Sequence, residues 1–422
     1  MEMKKYKLSE YLDSFGDGIH GTPKYDEYGD FYFINGNNLN DGKIEITSKT
    51  LKVSANEYEK IKRNLNEKSL LVSINGTLGN IAFYNGERIA LGKSACFLNL
   101  KESSCREYLR YVLETKEFKS YMNRVAGQST IKNVSPTQIS EFEFYAPSLP
   151  TQQKIAAILS SLDDKIALNK KINAKLEAMA KRLYDYWFVQ FDFPNADGKP
   201  YKASVGKMVW NETLKREIPE GWEVGKIGDF VETITKGSTP STAGFEFEEV
   251  GINFVKVECI ENGYVLTDNL MHISEEANHT LKRSQLQEND ILVTIAGRLG
   301  SSAIVSKDIL PANTNQAVGI IRLKKEYKFL VNYLYQRIVS TDMQIYLQSI
   351  NAQSIQKNLT LPNLANIIFA YDKDFNLINC YNEKILPIFN YQLTIQKEIQ
   401  KLTNLRDRLL PLLMNGQVKV EG

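Results

Sequence analysis

The chain has 422 residues, 24% of them charged, and a formal net charge of +2, a size that suits two or three domains with sizeable cores and a composition ordinary for a soluble protein. So small a net charge neither demands nor excludes a nucleic-acid partner, because the location of a basic patch matters more than the total. Four scattered cysteines (Cys96, Cys105, Cys259, Cys380) form no CxxC pair and no disulfide framework, which points to a reducing cytoplasm, and no apolar run nears the roughly 18 residues of a membrane span.

The opening segment, MEMKKYKLSEYLDSFG, is charged and lacks the apolar stretch of a secretory signal. Gly16-Asp17-Gly18-Ile19-His20-Gly21 spells GxGxxG. A dinucleotide-binding turn of that form follows a strand and opens a helix. Here the run leads into Thr22-Pro23, and proline disfavours helix at the residue before it, so a flexible loop is expected. In LLVSINGTLGN (Leu70–Asn80), Leu70, Val72 and Ile74 alternate with Leu71 and Ser73, the period of a strand covered on both sides. Asn75-Gly76 supplies a turn that tolerates positive φ. IAFY and a second Asn-Gly, at Asn85-Gly86, predict an antiparallel meander. Cys105–Ala126 has helical spacing and no breaker, so one continuous helix is expected there.

Next comes LPTQQKIAAILSSLDDKIALNKKINAKLEAMAKRLYDYWF (Leu149–Phe188). Ile155, Leu162, Asn169, Leu176 and Leu183 recur every seven residues, and Ile158, Ile172, Met179 and Tyr186 fall three later, as in the a and d rows of a coiled coil. Asn169 is the kind of polar core residue that fixes register at some cost in stability. Pro150 or Thr151 marks the helix entry. At about 1.5 Å per residue the helix is roughly 55 Å long. Val189–Trp222, rich in Pro, Gly and Lys, reads as a crossover linker.

From Trp222 the chain repeats itself, and repetition of this kind decides the fold class. WEVGKIGDFVE echoes YKLSEYLD. Thr239-Pro240 faces Thr22-Pro23, and Phe254-Val255 faces Phe33-Ile34. ILVTIAGRLGS (Ile291–Ser301) restates LLVSINGTLGN. NAQSIQKNLTLPNL (Asn351–Leu364) restates AGQSTIKNVSPTQI (Ala126–Ile139), with Gln353, Ser354, Lys357 and Asn358 opposite Gln128, Ser129, Lys132 and Asn133. A second heptad segment closes the chain, with Ile388, Ile395, Leu402 and Leu409 seven apart and Pro411 and Gly416 at its end. The expected fold is α+β: two similar β-rich α/β globules separated by two long antiparallel helices that form a coiled coil, with pseudo-two-fold symmetry. The expected segments are a first globule at 1–148, a first helix at 149–190, a crossover at 191–220, a second globule at 221–376 and a second helix at 377–422.

The usual traces of chemistry are missing. There is no GxxxxGK[ST] and no Asn-Pro-Pro-aromatic motif of an amino-methyltransferase. His20, His272 and His279 form no HExxH and no i, i+4 pair, so no metal site is expected. Asp163-Asp164 is expected on a solvated helix face. No Ser-His-Asp set has assignable roles, so no catalytic residue is expected.

The segment Leu149 to Phe193, followed by IPEGWEVGKIGDFVETITKGSTP, resembles the specificity subunit of type I restriction–modification systems, and the resemblance spans the whole chain. It implies a non-catalytic subunit whose two target-recognition domains each read one half of a bipartite site on double-stranded DNA. It implies helices that set the spacing and offer surfaces to two methyltransferase subunits and, through them, two restriction subunits. The cofactors, S-adenosylmethionine, ATP and Mg, would then belong to the partners and none to this chain. The same residues also fit a free-standing regulator with two DNA-binding domains, or an enzyme whose site has no recognised motif.

The repeat divides scaffold from tip. Strand residues Leu71/Leu292, Val72/Val293 and Ile74/Ile295 match, while the turns differ: Asn75-Gly76-Thr77 against Ala296-Gly297-Arg298. Recognition loops behave this way on a retained frame. Arg298 fits a bidentate contact to guanine or an ordinary exposed turn. Lys256, after the strand INFV, is a base-edge candidate, as are Asn35 and Asn37 in the equivalent first-half loop and Thr77 in the first turn. Lys132 and Lys357, at matching positions, fit phosphate contacts or a structural turn. Lys24 and Lys236 are further phosphate candidates.

Overall fold

The computed structural model describes residues 2–127, 132–353 and 358–420. It divides into two compact units: residues up to Ala167 together with those from Lys401 on, and Leu168–Gln400. Each unit takes one globule and part of each long helix. Among the described residues no helix is long and apolar enough to cross a membrane.

The first unit is built on a four-stranded sheet in the order Leu12–Asp17, Ala95–Leu100, Ser69–Ser73, Ile81–Phe83. The second unit repeats that order with Val231–Lys236, Val318–Leu323, Ile291–Thr294 and Ser302–Ile304. The registers correspond: Cys96 faces Val72 and Leu98 faces Leu70, as Gly319 faces Val293 and Ile321 faces Ile291. Both sheets carry a bulge in the pair between the first and second strands of that order. A small mixed sheet covers each. Phe31–Ile34 lies parallel to Ile89–Leu91 in one unit, and Ile252–Val255 parallel to Ala312–Thr314 in the other.

The alternation in the repeated phrase has a direct physical meaning. Leu70, Val72 and Ile74 enter the core shared with the helices, while Leu71 enters a second core under the mixed sheet. Ile291, Val293 and Ile295 against Leu292 divide the same way. Each of these side chains is at most 5% exposed, and full burial of an aliphatic side chain contributes about 1.5–3 kcal/mol. The turns have the expected backbone, with Gly76 at φ +75° and Gly297 at φ +74°.

Four sequence expectations are corrected. The meander stops after one hairpin: Ser69–Ser73 pairs antiparallel with Ile81–Phe83, but the next strand joins the mixed sheet in parallel. The helix expected across Cys105–Ala126 is two helices, Arg106–Glu114 and Lys116–Val125. Thr115 leaves the helical region at φ −61°, ψ 154°, and its hydroxyl accepts from the Phe118 N–H, so an N-cap interrupts a segment that has no Gly or Pro. The crossover contains a hairpin, Met208–Asn211 with Arg216–Pro219. The last helix, Asn376–Met414, runs through Pro411 and ends before Gly416, which takes φ +69°.

The long helices also correct the expected heptads. Along Leu149–Tyr184, Ile155 and Asn169 are buried and Leu162, Leu176 and Leu183 are half-buried. The companion row lies four residues on: Leu159, Ile166, Ala180 and Trp187 are buried and Asn173 is half-buried. Of the row expected three on, Ile158, Met179 and Tyr186 turn outward at 36%, 53% and 37% exposed, while Ile172 is half-buried. At 3.6 residues per turn, +3 and +4 flank the same stripe. Asn and Ala hid the true row from a hydrophobicity count. In the last helix Ile395 is buried and Ile388, Leu402 and Leu409 are half-buried, with Ile378, Ile385, Gln392, Ile399 and Leu413 forming the companion row.

Within each unit the two helices run antiparallel. In the first, Ile155 and Leu159 share a core with Leu413 and Met414, while Asp163 meets Arg406. In the second, Asn173 and Glu177 line one cavity with Gln396 and Ile399, while Trp187 meets Tyr381.

The helix–globule junctions differ in chemistry. In the first unit Asp163 accepts from the Tyr111 hydroxyl at 2.7 Å and pairs with Arg110 and Arg406, each at 3.0 Å; Arg110 also meets Glu114 at 2.8 Å. Asp163 therefore does not lie on a solvated face; Asp164 does. In the second unit Phe188 meets Tyr333 and Tyr381 edge-on at 4.6 and 5.1 Å, and Trp187 lies 5.9 Å from Tyr381.

Candidate nucleic-acid interface

At the end of the repeated strand, each unit gathers four loops around one residue. In the first unit that residue is Ile74. Its N–H donates to the Ser94 carbonyl at 2.9 Å, and its carbonyl accepts from Val134 N–H at 2.9 Å. In the second unit Ile295 donates to Ala317 at 2.8 Å and accepts from Leu359 at 2.9 Å. The two repeated phrases, the strand-and-turn and the Lys-Asn loop, are thus bonded to each other in both halves. Gly76 N–H adds a bond to the Lys132 carbonyl at 3.3 Å.

A third loop enters by close backbone approach. A Cβ on Gly18 would lie 2.2 Å from the Gly92 carbonyl oxygen, and one on Gly237 would lie 2.1 Å from that of Thr314. Gly18 N–H bonds Ala95 and Gly237 N–H bonds Val318, at 2.9 and 3.2 Å. Glycine is needed at Gly18 and Gly237 for packing, and the loop expected to be flexible instead leaves the strand Leu12–Asp17, which holds Gly16, and is closely packed at Gly18.

The fourth loop is a 3-10 turn that opens with Asn35 (φ −118°, ψ 176°) in one unit and Lys256 (φ −113°, ψ 176°) in the other. The backbone is the same and the side chains are not. Asn35 Oδ1 accepts from the Ser94 hydroxyl at 2.9 Å, and that hydroxyl accepts from Gly36 N–H at 2.9 Å. Lys256 lies 5.3 Å from the Phe247 ring centroid and 3.6 Å from Glu258.

Asn35, Asn37, Thr77 and Lys132 therefore belong to one loop cluster, with Asn37 and Thr77 exposed. Lys132 Nζ donates to Asn123 Oδ1 at 2.7 Å. In the second unit Lys256 belongs to the equivalent cluster, and the exposed Lys236 precedes Gly237. Two candidates are placed differently. The Arg298 guanidinium donates to the Ile260 carbonyl and lines a cavity of about 220 Å³ with Glu177, Glu261 and Gln344. Lys24 belongs to another neighbourhood: its N–H donates to Glu57 at 3.1 Å, and Tyr25 bridges to Val53. Lys357, with Gln128, Ser129 and Ser354, lies outside the described residues.

Sequence reasoning missed Ser94 and several polar side chains of the second unit's cluster. Thr239 donates its hydroxyl to Gln316, and Arg283 donates to Ser238 Oγ at 3.3 Å. LGKSA and NTNQA share too little for alignment; the shared backbone bonds pair Ser94 with Ala317, which leaves Gln316 opposite Lys93. The clusters offer amides, hydroxyls, lysines and an arginine, the groups that bond base edges and phosphates. Among the described residues no group of His, Cys, Asp and Glu is arranged to hold a metal ion.

A family model described as the type I restriction modification DNA specificity domain matches residues 2–178 and again 219–371. The chain is 29% identical over 328 residues to the type I restriction enzyme MjaIX specificity subunit of Methanocaldococcus jannaschii, covering 76% of this chain and 71% of that one. It is 26% identical over 362 residues to the HindI specificity subunit of Haemophilus influenzae, covering 74% and 77%. The crystal structure of a type I restriction–modification S subunit from M. genitalium shares the fold, with TM-score 0.60 at 16% identity over 100% of this chain and 97% of that one.

Proposed function

The chain belongs to the type I restriction modification DNA specificity family, and we propose that within it each loop cluster reads one half of a bipartite DNA site. The chain is the specificity subunit of a type I restriction–modification system and not its catalyst; it binds DNA and partner subunits. The observation that carries the reading is the equivalence of the clusters: one backbone frame, bonded alike, holds Asn35, Ser94 and Thr77 in one unit and, at the matching positions, Lys256, Ala317 and Arg298 in the other. Frames of one shape with different donors and acceptors select different sequences.

The partners of the reading are two methyltransferase and two restriction subunits, which would bring S-adenosylmethionine, ATP and Mg, in the cytoplasm. Met179 and Tyr186, exposed and seven residues apart on the first long helix, are suited to receive a methyltransferase. The net charge of +2 supports weak, salt-sensitive binding by the chain alone, with the partner supplying much of the grip. Equal and tight affinity with and without the methyltransferase would favour a free-standing regulator instead.

The test is to co-express the chain with its methyltransferase and map methylated adenines. A split motif with a fixed gap is expected. Lys256→Asn should alter one half of that motif and leave the other untouched; a change in both halves, or in neither, would refute the assignment of one cluster to each half.

A further inference from the structure

We propose that the outward face of the helix Lys116–Val125 grips DNA phosphates beside the first loop cluster, and that the corresponding helix of the second unit has no such grip. The proposal rests on the reading of the clusters as DNA-binding.

Phe118 and Met122 are buried and fix which side of this helix faces the core. Lys116, Lys119, Asn123 and Arg124 are exposed on the other side. The helix abuts the recognition turn: Leu78 packs on the core that holds Phe118, and a Cβ on Gly79 would lie 4.0 Å from the Phe118 ring. Lys132 extends the basic face. Its Nζ reaches Asn123 at 2.7 Å while its carbonyl takes the Gly76 N–H at 3.3 Å. Nearby acids are few and mostly paired. Glu141 and Glu143 meet Lys7 and Lys5 at 2.5 and 2.6 Å, and Glu117 is the one acid on the helix itself. From Lys116 to Arg124 the helix rises roughly 12 Å, about the axial length of three phosphates on one strand.

The counterpart, Thr341–Gln353, starts after Ser340 as the first starts after Thr115, and buries Met343 and Leu347 where Phe118 and Met122 lie. At the positions of Lys116, Lys119 and Arg124 it carries Thr341, Gln344 and Ser349. Gln344 is turned inward, donating to the Gly300 carbonyl at 3.1 Å. Ile345 and Tyr346 face outward, 62% and 48% exposed. The segment holds no Lys or Arg.

The experiment uses the full chain assembled with its methyltransferase. One duplex carries the methylated motif and a second is scrambled, each titrated across salt concentrations. K119A/R124A should weaken binding to both duplexes about 10-fold and lower the slope of log affinity against log salt by about 2, near 0.9 for each phosphate no longer neutralised. The methylated motif should stay the same, because phosphate contacts carry no sequence information. Q344A/S349A should leave the slope unchanged, and Q344K/S349R should raise it. A K119A/R124A complex that melts normally and keeps the wild-type slope would overturn the proposal. A wild-type complex with no preference for the motif duplex would instead show that the reading of the clusters had failed.

Discussion

The two units share strand order, register and loop frame, yet they stabilise the sheet and the helix junction with opposite chemistry. Inside the sheet the first unit uses a neutral pair. The Ser69 hydroxyl donates to Asn99 at 2.5 Å, and Asn99 donates on to Ser14 and the Asn64 carbonyl. The second unit puts Asp290 and Arg322 at the same two sheet positions, bidentate at 2.8 and 2.7 Å. At the helix junction the roles reverse: the first unit has the Asp163 ion network and the second has aromatics packed edge-on. The sheet tolerates either solution because what it demands is satisfied polar atoms at fixed positions, not particular charges.

The largest effect should come from the aromatic junction. Trp187→Ala removes a large buried side chain and should cost about 3–5 kcal/mol, read as a lower denaturation midpoint. A cost near zero would mean the aromatics are not the anchor. Next is Asp290→Ala, which strands Arg322 within the sheet and should cost about 3 kcal/mol. The double variant D290S/R322N, which copies the first unit, should recover most of that loss; failure to recover would show that the units are not interchangeable at this point. Ser69→Ala in the first unit should cost only about 1 kcal/mol, so a value as large as that for Asp290→Ala would erase the contrast.

Acidity sharpens the same comparison. Burial pushes the Asp290 carboxyl above its ordinary 3.8 despite Arg322. A raised carboxyl stabilises the fold below its unfolded value, and that contribution is lost as pH rises through the folded value. Wild type should therefore lose, and D290S/R322N should lack, one component of stability as pH climbs from about 3.8. Melting curves of both proteins across that window test it. Of similar size to Ser69→Ala but opposite in sign, Asn169→Leu should raise stability by about 1 kcal/mol, because Asn169 is 4% exposed and its Nδ2 meets no partner among the described residues.

Much of the architecture is legible in the sequence, because a repeated phrase and a seven-residue period survive as patterns of apolar residues. The Asp163 network is not: its partner Arg406 lies 243 residues away, and nothing local marks either as buried. The break at Thr115 hides for another reason, since threonine is unremarkable inside a helix until its hydroxyl caps the next one. Asn35, Asn37, Thr77, Lys132 and Lys256 stand out because they sit in loops of the repeat, and the structure brings them into two equivalent clusters. Arg298 sits in such a turn as well, but an arginine is long enough to fold back onto Ile260, and no spacing rule reports that.

Leu413 and Met414 fill the core of the first unit, although hundreds of residues separate them from its sheet. A nascent first globule thus leaves the ribosome with a gap in its interior that only the final turn of the last helix closes. A premature stop codon near residue 400 would cripple the recognition module made earliest.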